Sequence, residues 1–171
     1  MATFIALLRG INIVGKTVKM ERLRNIMTSM GLENVRTYIQ SGNVVFEAEK
    51  ENTDVLADRI DQELQKHFDF PIPVVVRTRN EWEEVIRKNP FPDNEPHVSF
   101  LSEKPEEEAV AKVNAYRDKS EDEIVIDGRE VYLLCKGSYH KTIFSNNFLE
   151  KKLGVSSTTR NWRTVNKLAS L

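Results

Sequence analysis

The chain has 171 residues, 40% of them hydrophobic and 30% charged, which places it among globular proteins and outside the disordered and membrane-embedded classes. A single cysteine, Cys135, excludes an intrachain disulfide and a cysteine-built metal site. The apolar start, Phe4 to Leu8, stops at Arg9 and is too short for a signal peptide or a membrane span, so a soluble cytoplasmic protein with no membrane partner is expected.

The net charge of −1 conceals an asymmetry. Residues 1–46 carry +4, residues 47–134 carry −11 and residues 135–171 carry +6. Two basic ends around an acidic middle favour an anionic partner if they form a face, whereas solvated helix surfaces would need no partner at all.

Thr3 to Leu8 reads as a buried strand, followed by a polar loop from Arg9 to Lys19. Met20, Leu23, Ile26, Met27 and Met30 recur at helical spacing, with Gly31 as the stop. Val35–Ile39 and Val44–Phe46 flank a turn at Gln40–Asn43. Asn52 or Thr53 caps a helix carrying Val55, Leu56, Ile60, Leu64 and Phe68, and Val74–Val76 is a strand after Pro71 and Pro73. The order β-α-β-β-α-β is that of a split βαβ, or ferredoxin-like, unit.

Beyond residue 78 the theme returns. Asn80 is expected to cap a helix over Trp82, Val85 and Ile86 that ends before Pro90. His97–Leu101 is a strand, and Pro105 suits the first turn of a helix with Ala109, Val110, Val113 and Tyr116. Glu123–Ile126 and Glu130–Cys135 flank a hairpin at Asp127-Gly128, and two helices follow, Phe148–Leu153 and about Arg160–Leu168. The fold class is therefore α+β, with a ferredoxin-like βαββαβ half over residues 1–78 and a βαββ half with C-terminal helices over residues 79–171.

Gly10-Ile11-Asn12-Ile13-Val14-Gly15-Lys16-Thr17 matches the phosphate-loop pattern G-x-x-x-x-G-K-[ST], between a strand and a helix. Nucleotide hydrolases with that loop need a mostly parallel sheet, whereas hairpins dominate here. The one Walker-B-like stretch, Ile124–Asp127, runs its aspartate into a tight turn. A nucleotide hydrolase is thus disfavoured.

Three blocks carry a resemblance: Ala6-Leu7-Leu8-Arg9-Gly10-Ile11-Asn12, Val35 to Phe46 (VRTYIQSGNVVF), and Thr158 to Val165 (TTRNWRTV). Together they resemble a bacterial family of uncharacterised proteins, domain of unknown function 1697. The resemblance implies kinship and fold, and no reaction. That family's first loop usually continues with a second Gly, then Lys and Asn, where this chain has Val14 and Thr17 at the matching places. The Walker look then reflects two substitutions on a loop with another purpose.

Those blocks also stand out chemically. Antiparallel pairing of the first and third strands brings Arg9 and Asn12 towards Gln40, Ser41 and Asn43. Turn geometry alone is a competing explanation for Asn12, Gly42 and Asn43. Ser156–Thr159 before a helix opening at Arg160 forms a second candidate, because helix N-termini and arginine attract anions, although Thr158 or Thr159 could serve as plain caps. Arg9, Asn12, Gln40, Asn43, Arg160 and Asn161 are therefore expected to converge on one partly exposed anion pocket. His67, His97 and His140 lie far apart and match no metal motif, so neither a metal nor a cofactor is expected. Cys135 reads as a small buried hydrophobe, and Glu106–Glu108 and Lys151-Lys152 as ordinary helix-end charges.

Three functions follow. A binding module for a small phosphorylated or nucleotide-like ligand leads, with a nucleic-acid backbone less favoured because Tyr38 and Phe46 are the only strand aromatics in the first hairpin. An acylphosphatase-like hydrolase, with Arg9 stabilising charge and Asn43 orienting water, rests on architecture alone. A protein-interaction module using the acidic middle is the third. Whether the protein is an enzyme and how it assembles are left open.

Overall fold

The structure, a computed structural model, describes residues 1–171. The chain divides into two compact units, Met1–Glu84 with Lys167–Leu171, and Val85–Asn166.

The first unit runs β1 (Ala2–Leu8), α1 (Met20–Ser29), β2 (Glu33–Tyr38), β3 (Asn43–Ala48), α2 (Thr53–Gln65), β4 (Val74–Thr78) and the start of α3 (Arg79–Arg87). Its four strands are all antiparallel, in the order β2-β3-β1-β4. Flanked on both edges, β1 buries Phe4, Ala6 and Leu8 against α1 and α2, and Ile5 and Leu7 are buried on its other face. A strand buried on both faces needs an unbroken apolar run rather than alternation, which is what this segment supplies. Phe4 stacks on its cross-strand partner Phe46 at 5.7 Å.

Local signals set the ends. Gly31 (φ +90°) terminates α1, its N–H reaching Thr28 O while Leu32 N reaches Met27 O, the paired bonds of a Schellman stop. Asn52 caps α2 by accepting from the Asp54 and Val55 amides. The α3 cap differs from expectation. Thr78, not Asn80, accepts from Glu81 N, and Glu81 returns its carboxylate to Thr78 N. This capping box satisfies two amides at once, which a lone asparagine two residues later does not do.

The second unit contains the rest of α3, then β5 (His97–Leu101), α4 (Glu107–Asn114), β6 (Glu123–Asp127), β7 (Glu130–Leu134), α5 (Asn146–Leu153), β8 (Ser157–Arg160) and the start of α6 (Trp162–Ala169). Its sheet, also antiparallel, runs β6-β7-β5-β8. The α+β class stands, with one strand more than the sequence indicated. Ser157–Arg160 pairs with β5 as an edge strand instead of leading into a helix, and α6 begins only at Trp162. The hairpin loop is also shifted by one residue. Asp127 pairs with Glu130, so Gly128 (φ +60°) and Arg129 form the turn, and a glycine first suits the II′ geometry.

The two units repeat one plan down to single hydrogen bonds. Leu8 N donates to Gly42 O at 2.8 Å, and Leu101 N donates to Arg129 O at 2.8 Å. Arg9 N reaches Pro73 O at 3.0 Å, and Ser102 N reaches Ser156 O at 2.9 Å. Ile5 pairs with Arg77 as Val98 pairs with Arg160. By this register Arg9 corresponds to Ser102, and Arg77 to Arg160. Each final strand hands over through a capping residue, Thr78 or Asn161, to a helix.

Candidate functional site

At one end of the first sheet the β1–α1 loop, residues 9–19, meets the β2–β3 turn. The turn needs Gly42, whose φ is +89° and where an added Cβ would lie 2.7 Å from Leu8 Cβ and 3.1 Å from Leu8 O. The loop is fastened by Asn12, itself at φ +55°. Its Nδ2 donates to Gln40 O, and its Oδ1 accepts from Val18 N at 2.9 Å. The structure thus brings Asn12 and Gln40 together and sets Arg9 directly after the Leu8–Gly42 bond. Asn43 opens β3 with no exposed surface, its Nδ2 donating to Tyr38 O at 2.9 Å and Ser41 Oγ at 2.8 Å. Arg9 is half-buried, and Gln40 is exposed.

The phosphate-loop match does not adopt the corresponding geometry. Residues 13–16 close a tight turn, Lys16 N bonding Ile13 O at 2.9 Å, with Gly15 at φ +78°. A third residue at positive φ is the mark of a type II turn. α1 starts at Met20, three residues beyond Thr17, so the loop amides do not sit on a helix N-terminus. The sheet beside it is antiparallel throughout.

Arg160 and Asn161 lie in the second unit, where β8 passes into α6. Neither Thr158 nor Thr159 caps that helix; Asn161 does, accepting from Thr164 N at 2.9 Å. Arg160 donates to Thr159 O at 2.9 Å, and burial draws its guanidinium pKa down to about 10.

The segment Ser156–Thr159, expected to lead into a helix at Arg160 as an anion site or as its cap, carries a hydroxyl cluster. Ser157 and Thr159 share the helix side of β8 and both donate to Asn146 Oδ1, at 2.8 and 2.6 Å. Ser99 Oγ lies 2.6 Å from Thr159 Oγ1 and must be the donor there, because the Thr159 proton is committed to Asn146. Ser157 and Thr159 fall on one face of a strand, but Thr158 between them is a hydroxyl too, so the sequence shows no alternation that would have found them.

His97 stacks on Tyr139 at 4.7 Å, and burial lowers its pKa. Burial and Asp122 raise the Cys135 thiol, the direction of an unreactive cysteine. No group of three or more His, Cys, Asp or Glu side chains is placed to hold a metal ion. No helix is long and apolar enough to cross a membrane.

Among curated proteins none matches this chain. Among solved structures it is similar to a conserved bacterial protein, SP0830 from Streptococcus pneumoniae, with 23% identity and a TM-score of 0.67 over 99% of this chain and 97% of that one. At that identity the likeness establishes the fold. The family model described as "Protein of unknown function (DUF1697)" matches residues 1–132, and the chain belongs to that family.

Proposed function

We propose that the protein is a binding module for a small phosphate-bearing anion, taken up at the β1–α1 loop of the first unit through Arg9. The observation that carries this reading is the internal comparison between the units. The second unit makes the same two framework bonds with Ser102 where the first has Arg9, and joins β5 to α4 by residues 102–106 alone. The fold therefore requires neither an arginine at this place nor a loop as long as residues 9–19. That longer loop carries Arg9, Lys16 and Lys19 and no carboxylate, and residues 34–46 facing it are also free of Asp and Glu. The exposed Asp69, between α2 and β4, is the acidic residue of the remaining segment at this end.

Within this reading Asn12, Gln40 and Asn43 have distinct parts. The two asparagines hold loop and turn in one arrangement, so the ligand meets a site that is already ordered. The Gln40 amide, at the exposed surface, supplies directional hydrogen bonds beside the Arg9 fork. Asn43 serves an acylphosphatase-like mechanism poorly, because its buried amide already donates to Tyr38 O and Ser41 Oγ instead of facing a water.

Calorimetric titration with inorganic phosphate and with a phosphate monoester tests the reading. Arg9→Ala should weaken binding by about 1.5–3 kcal/mol, the scale of a charge-assisted hydrogen bond, and leave stability nearly unchanged. Undiminished binding in Arg9→Ala overturns it. Arg160→Ala and Asn161→Ala, run in the same series, decide whether those two residues contribute to the site as the sequence led us to expect.

A further inference from the structure

The loop that carries the cations also presents apolar side chains that folding does not reward. Val14, at the apex of the 13–16 turn, has a relative exposure of 101%, and its neighbour Ile13 one of 56%. Ile39, next to the Gln40 carbonyl that Asn12 grips, is 53% exposed at φ +49°. A β-branched residue rarely adopts that backbone conformation, and an observed outlier of this kind is a reason to look for a function. Glycine would occupy the position without strain, and Ile39, more than half exposed, is not among the buried core residues. The second unit, whose connection is residues 102–106, builds the same framework without any such tip.

We propose that Ile13, Val14 and Ile39 form the inserting tip of a docking surface for an anionic lipid bilayer, with Arg9, Lys16 and Lys19 around it contacting lipid phosphates. This deepens the anion-binding reading and rests on the same cationic loop. Charge complementarity selects an anionic surface, because the segment from Met1 to Met20 holds three cations and no carboxylate. Shape and size select a bilayer over an acidic protein. The tip projects at the end of a tight turn, and three aliphatic side chains fall well short of the roughly 800 Å² per partner that a stable protein interface buries. Lipid headgroups place no such lower limit on area, and shallow apolar insertion adds to attraction by Lys and Arg. A peripheral contact of this kind needs no membrane-spanning helix, and it departs from the sequence-based expectation of no membrane partner.

Co-sedimentation of the full chain with phosphatidylcholine vesicles, with and without phosphatidylglycerol, tests the proposal. Binding is expected only with phosphatidylglycerol. Val14→Ser with Ile13→Ser should lower partitioning about tenfold, with unchanged melting temperature because both side chains are exposed, and Lys16→Ala should lower it about fivefold. Ile39→Gly should weaken vesicle binding without loss of stability. Equal binding to both vesicle types, or wild-type partitioning in the double serine variant, overturns the proposal. Retention on immobilised poly-glutamate that depends on Val14 as vesicle binding does would assign the surface to an acidic protein and overturn it too. Glycerol phosphate in the same buffer separates the two readings. If it binds through Arg9 while vesicles do not, the bilayer falls and the anion site stands; if neither binds, both fall.

Discussion

Replacing Gly42 by alanine tests how the candidate site is held together. The residue sits at φ +89°, and its Cβ would meet Leu8 Cβ at 2.7 Å, Ile11 Cδ1 at 2.9 Å and Leu8 O at 3.1 Å. Leu8 belongs to the central strand and holds the turn by donating its N–H to Gly42 O, so it cannot give way without moving β1. Placing an L side chain at positive φ costs about 1–2 kcal/mol, and overpacking a filled site adds about 1–3 kcal/mol. A loss of about 3 kcal/mol is expected, and in a chain of this length that lowers the melting temperature by about 6–12 °C. Gly15→Ala is the matched control, since Gly15 has φ +78° and nothing within 4 Å of its added Cβ. Only the conformational cost applies there. Urea unfolding of both variants gives the comparison, and a Gly42→Ala protein no less stable than Gly15→Ala would refute the close interlock of strand and turn.

Two further outcomes follow from local chemistry. Thr78→Ala removes one arm of the α3 capping box and should cost about 1 kcal/mol by urea unfolding, whereas Asn80→Ala should cost much less. His97 has its pKa lowered from 6.5 by burial, so the unfolded chain takes up this proton before the folded one does. Stability present above pH 6.5 should therefore decline as pH falls through that value towards the folded pKa, and His97→Gln should flatten the decline in urea midpoints across that range.

Legibility in the sequence followed how local the governing interaction was. The central strand β1, the helices α1 and α2 and the Gly31 stop were readable because apolar spacing and chain-neighbour caps decide them. The proximity of Asn12 to Gln40 was readable because antiparallel pairing puts a strand's end beside its neighbour's start. β8 was not readable, because Ser157-Thr158-Thr159-Arg160 lacks apolar residues and is a strand only through its pairing with β5. The Ser157 and Thr159 hydroxyls are satisfied by Asn146 and Ser99, residues distant in sequence. The Thr78 cap was obscured by Asn80, an equally good capping residue, until the reciprocal Glu81 bond decided between them. The positive φ of Ile39 carried no signal at all, since the residue type argues against that conformation.

Amide chemical shifts recorded during titration with inorganic phosphate test the anion site most directly, because the second unit is a control inside the same molecule. Amides of residues 9–19 and 39–43 should shift with a common dissociation constant, while their structural counterparts at residues 102–106 and 128–130 stay in place. Shifts confined to the second unit, or equal in both sets, would contradict the assignment of the site to the Arg9 loop.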